Sequence, residues 1–94
     1  MATEIRDTAL KPLGFEQITG LSVVKSLNVP ANATLAVIQA ESPGVRYRDD
    51  GIDPTAAVGM FIAGGTEIKC RGNLPKMRFI EGAAGAKLNV SYYE

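Results

Sequence analysis

Three carboxylates that lie close together in the sequence are the first candidates for chemistry. Asp49, Asp50 and Asp53 fall within five residues of each other, and carboxylate oxygens are the ligands that Ca²⁺ prefers. A calcium loop of the EF-hand type needs acidic residues at alternate positions and a glutamate at its twelfth, where this chain has Met60. An Asp-Gly hairpin turn at Asp50-Gly51 accounts for the same residues. We therefore expect a turn and no bound metal or cofactor.

Two arginines precede these acids on one face of a short segment. Arg46 and Arg48 alternate with apolar residues, so in a strand both would lie on the outer side. They could bind a phosphate, bind a carboxylate of a partner protein, or pair locally with Asp49 or Glu41. An arginine counts for more in a desolvated contact between proteins than on an open surface. Arg46, Arg48, Asp49 and Asp50 are therefore candidate protein-interface residues.

The composition disfavours catalysis. The chain has no histidine and one cysteine, so the commonest general base and the usual zinc ligands are missing. Cys70 alternates with Ile68 and is expected to be a small core residue. Gly64-Gly65 and Gly82 to Gly85 lack the spacing and the Lys-Ser/Thr pair of a phosphate-binding loop, which indicates turns. We expect no enzyme activity and no catalytic residue.

An aromatic pair lies close to the C-terminus. Tyr92 and Tyr93 end an alternating segment, so one of the two rings would face outward. An outward tyrosine suits a protein interface, although it could equally close the end of a sandwich. Both are candidate interface residues.

The elements that would carry these side chains are short apolar segments about ten residues apart, separated by glycine and proline. This pattern predicts an all-β fold, an antiparallel β-sandwich or small jelly-roll-like barrel of about seven strands. The connections are too short for the crossover that parallel strands require. The segment from Thr34 to Ile62 is expected to form a central meander. The predicted strands are 15–18, 21–27, 35–40, 45–48, 58–62, 66–71, 77–81 and 87–93.

The 94 residues are enough for one domain. Residues 1–14 have mixed charge, no period and Pro12, and are predicted to form an extended N-terminal arm, with the single domain at 15–94. Ten basic residues balance ten acidic ones, which disfavours binding to nucleic acid or to an anionic membrane. No segment reads as a signal peptide or a membrane span, so synthesis in a cytoplasm is expected.

Several segments, taken in order, resemble a family of small structural proteins of the virions of tailed bacteriophages and prophages. They are ATLAVIQAE (33–41), VRYRDDGIDPTAAVGM (45–60), IAGG (62–65) and RFIEGAAGAKLNVSYY (78–93). The resemblance covers about two-thirds of the chain and is weaker before residue 33.

This resemblance implies a virion protein without enzymatic activity, made in the host cytoplasm. We expect a capsid decoration or cement subunit that forms a homo-oligomer and binds the major capsid protein or other virion proteins. The alternative is a component of the tail or tail fibre that contacts a host surface glycan.

Overall fold

The computed structural model describes residues 11–94, and residues 1–10 lie outside the described part. Eight strands make up this part, together with one 3₁₀ turn at Leu74–Lys76. The strands are β1 (Pro12–Ile18), β2 (Lys25–Ser26), β3 (Leu35–Ala40), β4 (Val45–Arg48), β5 (Met60–Ile62), β6 (Glu67–Arg71), β7 (Arg78–Glu81) and β8 (Leu88–Tyr93).

The strands form two antiparallel sheets of four, which confirms the predicted all-β class. The first sheet has the order β1-β8-β3-β6, and the second has the order β2-β7-β4-β5. Strand β1 pairs with β8, β2 with β7, β3 with β6 and β4 with β5, as if one long hairpin had been folded over on itself. Eight strands in two sheets with this nested pairing constitute a jelly roll.

The predicted central meander is wrong in its pairing. Strands β3 and β4 are consecutive, yet β3 belongs to the first sheet and β4 to the second. Only β4 and β5 pair as neighbours within that segment. The reason is that Glu41 to Gly44 carries the chain from one layer to the other, with the Gly44 amide donating to the Glu41 carbonyl at 2.9 Å. Alternation in the sequence identifies strands, but it does not say which sheet receives them.

Two boundaries near the N-terminus also differ from prediction. Strand β1 begins at Pro12, so the last residues of the predicted 1–14 arm belong to the domain, while residues 1–10 of that arm lie outside the described residues. The predicted strand at 21–27 shrinks to Lys25–Ser26. Leu21 and Leu27, at its two ends, are both buried in the core, and the segment bends to insert them.

The core lies between the two inner faces. In β8 the buried Leu88, Val90 and Tyr92 alternate with half-buried residues, as predicted. Val45, Phe79 and Ile62 face them from the second sheet and are 2% exposed or less. Burial of apolar side chains on two facing sheets is the main stabilising term for a sandwich of this kind. Among residues 11–94 no helix is long and apolar enough to cross a bilayer.

Candidate protein interface

The β4–β5 hairpin holds its loop in place through Arg46. The Arg46 Nε donates to the Ala56 carbonyl and its terminal nitrogen donates to the Gly59 carbonyl, both at 3.0 Å. Its guanidinium carbon also lies 5.2 Å from the ring centroid of Phe61, its cross-strand partner. A planar guanidinium can make both contacts at once, because its donors lie in the plane and its faces remain free to stack. The half-buried Arg46 therefore ties strand β4 to the returning chain.

The far end of the loop is closed by Thr55. Its hydroxyl oxygen accepts hydrogen bonds from the amides of Ala57 and Val58 at 3.2 and 2.9 Å. The backbone amides of Thr55 and Val58 each donate to the other residue's carbonyl. Pro54, just before, is buried and has a restricted φ. These restraints fix the loop without a large core beneath it.

This ordered hairpin presents apolar side chains to solvent. Six large apolar side chains among residues 11–94 are more than half exposed, and four of them belong to the hairpin. We call these four the hairpin patch: Ile52, Val58, Met60 and Phe61, with exposed fractions of 55, 55, 64 and 52%. Val58 and Met60 line one cleft, whereas Phe61 follows Met60 in β5 and faces the other side of the sheet. Exposed apolar groups concentrated on one ordered element are typical of an interaction surface.

Charged side chains border the hairpin patch as paired ions. The Arg48 guanidinium donates two hydrogen bonds to the Asp50 carboxylate, at 2.6 and 3.2 Å. This bond lowers the pKa of Asp50 and raises that of Arg48. A shallow cleft of about 250 Å³ lies between this ion pair and the side chains of Val58 and Met60. Bidentate pairing fixes the direction of the Arg48 side chain, so the rim of the patch is ordered too.

The three aspartates of the calcium alternative have separate neighbours. Asp50 binds Arg48 and also accepts the Ile52 amide at 3.2 Å, while Asp53 lies 3.6 Å from Arg78. Asp49 lines the cleft beside Asp50 and also a second cleft, together with Tyr47 and Cys70. Over residues 11–94, no group of three or more acidic or cysteine side chains is placed to hold a metal ion. These carboxylates therefore do not form one cluster. The predicted hairpin turn with Asp50-Gly51 at its tip is wrong, because residues 49–59 form one long loop between β4 and β5 and Asp50-Gly51 lies near its start.

Cys70 occupies the edge of the core. It is half-buried and packs against the core cluster, beside a cleft of about 330 Å³ that is also lined by Asp49 and Tyr47. Burial, and then the charge of Asp49, raise the pKa of the Cys70 thiol. A thiol with a raised pKa is mostly protonated at neutral pH and is a poor nucleophile.

The two candidate tyrosines separate from the arginines and from each other. Tyr92 is 2% exposed, so its assignment to an interface was wrong: the inward register of β8 places the ring in the core. Tyr93 faces outward and is half-buried, opposite Leu35 of β3. Both tyrosines belong to the first sheet, whereas Arg46 and Arg48 belong to the second. The structure thus brings together Arg46, Arg48, Asp49 and Asp50, but not the tyrosines.

Sequence reasoning missed the hairpin patch. The segment 58–62 was expected to be a strand, but only Met60–Ile62 is one, and it forms an edge of its sheet. An edge strand can expose side chains on both faces, and Met60 and Phe61 are both exposed. Two signals were present, the short spacing between Pro54 and Met60 and the absence of charge from 54 to 62.

A second site that the sequence did not reveal joins β1, β8 and the loop before β3. The Glu16 carboxylate accepts a short hydrogen bond from the Tyr92 hydroxyl. It also accepts the Asn28 backbone amide at 3.0 Å and the Asn28 side-chain amide at 2.8 Å. These partners are 12 and 76 residues away from Glu16 in the chain, so no local motif could predict them.

Comparisons of the chain with protein families, curated proteins and solved structures gave no match.

Proposed function

We propose that the protein is a structural component of a bacteriophage virion, a decoration or cement subunit that binds neighbouring capsid proteins and strengthens the head. The observation that carries the proposal is the hairpin patch, a set of exposed apolar side chains on one ordered hairpin of a small β domain. Rigid apolar anchors lose little conformational entropy on binding, and such anchors dominate the energetics of protein interfaces. The resemblance in residues 33–93 supports placing that contact within a virion.

The architecture is compatible with this role. Jelly rolls recur in viral capsid domains and also in lectins, although a shared fold is only an analogy for function. The clefts described above are open to solvent, and burial raises the pKa of the Cys70 thiol beside one of them. A binding role therefore agrees better with these groups than a catalytic one.

The charge pattern suggests what the hairpin patch would contact. Two of its bordering ion pairs are Arg48 with Asp50 and Asp53 with Arg78. Asp49 lines the same cleft and forms no ion pair within residues 11–94, so it is the one bordering carboxylate that a partner would have to match. The complementary surface on the major capsid protein, or on another virion protein, would be apolar at its centre and polar at its rim. Binding would then depend weakly on salt.

The first test is the composition of particles. Virions induced from the strain that carries the gene are purified and analysed by mass spectrometry. The proposal predicts this chain in the particles in many copies, and particles that lack it would refute the proposal.

The second test locates the protein. Cryo-electron microscopy of wild-type particles is compared with that of particles in which the gene is deleted. Difference density repeated over the capsid lattice is expected. Density confined to the tail or its fibres would refute the decoration role and would favour the tail component, with a host glycan as the ligand to examine next.

A further inference from the structure

We propose that two copies of this chain associate through their β1 strands, which pair antiparallel across a two-fold axis near Phe15. The two first sheets would then join into one continuous sheet. The inference concerns self-association, and it does not depend on where in a virion the protein acts.

Within residues 11–94, the backbone of β1 has a partner strand on one side and none on the other. The Glu94 amide donates to the Lys11 carbonyl. The backbone amide and carbonyl groups of every second residue of β8, including Val90 and Leu88, therefore point toward β1. Their partners are Glu16 and Ile18, so those two residues use their amide and carbonyl groups within the sheet. Among residues 11–94, β1 pairs with β8 alone, so the amides and carbonyls of Phe15 and Gln17 point away from the sheet.

The other three outer strands are protected in ways that β1 is not. Strands β2 and β5 have two and three residues, too short to form a stable ladder with another chain. Strand β6 carries Glu67, Lys69 and Arg71 on its outward face, and charges are a common protection against edge pairing. Strand β1 has seven residues. Its Pro12 and the register shift between Pro12 and Gly14 protect only its first end, so the regular part of the edge is Gly14 to Ile18, where the outward side chains at 15 and 17 are neutral.

Phe15 adds an apolar contact to this free edge. It is 67% exposed, the highest value among the large apolar side chains of residues 11–94. A phenyl ring on an open edge would be covered by its own counterpart if two copies paired about it. Pairing of identical edges is self-complementary, as a two-fold interface requires.

The one acidic residue of the strand does not oppose self-pairing. The Glu16 carboxylate is turned inward, where it is held by Tyr92 and Asn28. Two such strands can therefore approach with no like charges facing each other at the edge. This charge arrangement favours a second copy as the occupant, whereas a basic or acidic partner strand would find no complement there.

The test measures association of the full-length protein. Sedimentation equilibrium over a range of concentrations should give twice the monomer mass of 10.0 kDa. Hydrogen exchange should show the amides of Phe15 and Gln17 protected in concentrated samples and exchanging rapidly on dilution. A single species at the monomer mass, or fast exchange of both amides in the associated state, would overturn the proposal.

Two variants locate the contact. Gln17→Pro removes an outward amide and keeps the backbone bonds between β1 and β8, but it also loses the side-chain bond from Gln17 to the Asn89 Oδ1 at 2.9 Å. It should weaken dimerisation at least about tenfold, because each dimer loses two backbone hydrogen bonds. Lys69→Pro is the matched control. The backbone amide of residue 69 also points away from its sheet, at the other long edge, so this variant should leave dimerisation unchanged.

Phe15→Lys provides a second test that keeps every backbone amide, and it should also weaken the dimer. Equal dimerisation of wild type and Phe15→Lys would refute the β1 edge as the interface.

Discussion

At the scale of single residues, the Glu16 carboxylate joins three parts of the chain. It accepts bonds from Tyr92 in β8 and from Asn28 in the loop that leads to β3. A half-buried carboxylate needs such donors, because an unsatisfied charge near the core is costly. The arrangement closes the sandwich beside β1 and keeps the acid off the free edge.

Tyr92→Phe tests this contact. The variant keeps the ring and loses the hydroxyl donor, so the free energy of unfolding at neutral pH should fall by about 1.5 to 3 kcal/mol, as expected for a bond to a charged group. Chemical denaturation measures the loss. Tyr93→Phe is the control and should cost less, since the Tyr93 hydroxyl accepts a bond from the neutral Ser91 hydroxyl at 3.4 Å. Equal losses would contradict a special role for the Tyr92 hydroxyl.

The same residue predicts a pH dependence. Burial, and then the hydrogen bond to Glu16, raise the pKa of Tyr92 above its ordinary value of 10.0. In the window above pH 10.0 the folded state holds this proton more tightly than the unfolded state, so stability is full below that pH and declines as the pH rises. Unfolding curves at increasing alkaline pH should show a smaller decline in the free energy of unfolding for Tyr92→Phe than for wild type. Parallel declines would contradict the assignment.

Arg46 and Arg48 look equivalent in the sequence and differ in the structure. Arg46→Lys should lower the free energy of unfolding by about 1 to 2 kcal/mol, since a lysine cannot bind two carbonyls while stacking on Phe61. Arg48→Lys, at an exposed ion pair, is the matched control and should have a smaller effect. Hydrogen exchange should show faster opening of residues 56–59 in Arg46→Lys only. A larger effect from Arg48→Lys would contradict the role assigned to Arg46.

At the scale of elements, two turns that cross between the sheets pack against each other. One connects β3 to β4 through Ser42, and the other connects β5 to β6 through Gly64 and Gly65. A Cβ on Gly64 would lie 2.5 Å from the Ser42 Cα and 2.7 Å from its nitrogen. The close approach of two backbones therefore requires glycine at position 64.

Gly64→Ala and Gly65→Ala form a matched pair at this contact. Gly64→Ala forces the two turns apart and should cost about 2 to 3 kcal/mol. Gly65 has a φ of +87° and open space around its Cβ position, so Gly65→Ala should cost only the backbone strain, about 1 kcal/mol. Thermal and chemical unfolding measure the loss of stability in each variant and show which is larger. A larger loss in Gly65→Ala would show that the close approach does not limit the turn.

The elements also show how far the sequence could predict this structure. Alternation located β4, β6, β7 and β8 to within a residue or so, because each has one face in the core. Strand β3 was located by a continuous apolar run, and Leu35 to Ile38 are all buried. Alternation failed at Leu21 and Leu27, where an irregular segment buries apolar residues without a period. It also could not give the pairing of the sheets, since the contacts between β1 and β8 or between β3 and β6 join distant parts of the chain.

At the scale of the whole molecule, the candidate surfaces lie on different sheets. The hairpin patch belongs to the β5 edge of the second sheet, and the free strand β1 is the edge of the first. The sequence singled out Arg46 and Arg48 because charge alternation is visible locally. The absence of charge from 54 to 62 was visible too, but it does not show that Met60 and Phe61 are exposed, because their exposure depends on β5 being an edge. One surface could therefore bind a capsid protein while the other binds a second copy.

The most direct test of this account is binding to particles assembled without the protein. Purified wild-type chain is mixed with such particles, and the bound fraction is measured by co-sedimentation. We expect saturable binding that weakens at least about tenfold in the double variant Val58→Ser with Met60→Ser. It should be unchanged in Val23→Ser, which removes an exposed apolar side chain elsewhere. No binding by the wild type, or equal binding by the double variant, would contradict the claim that the hairpin patch is the docking surface.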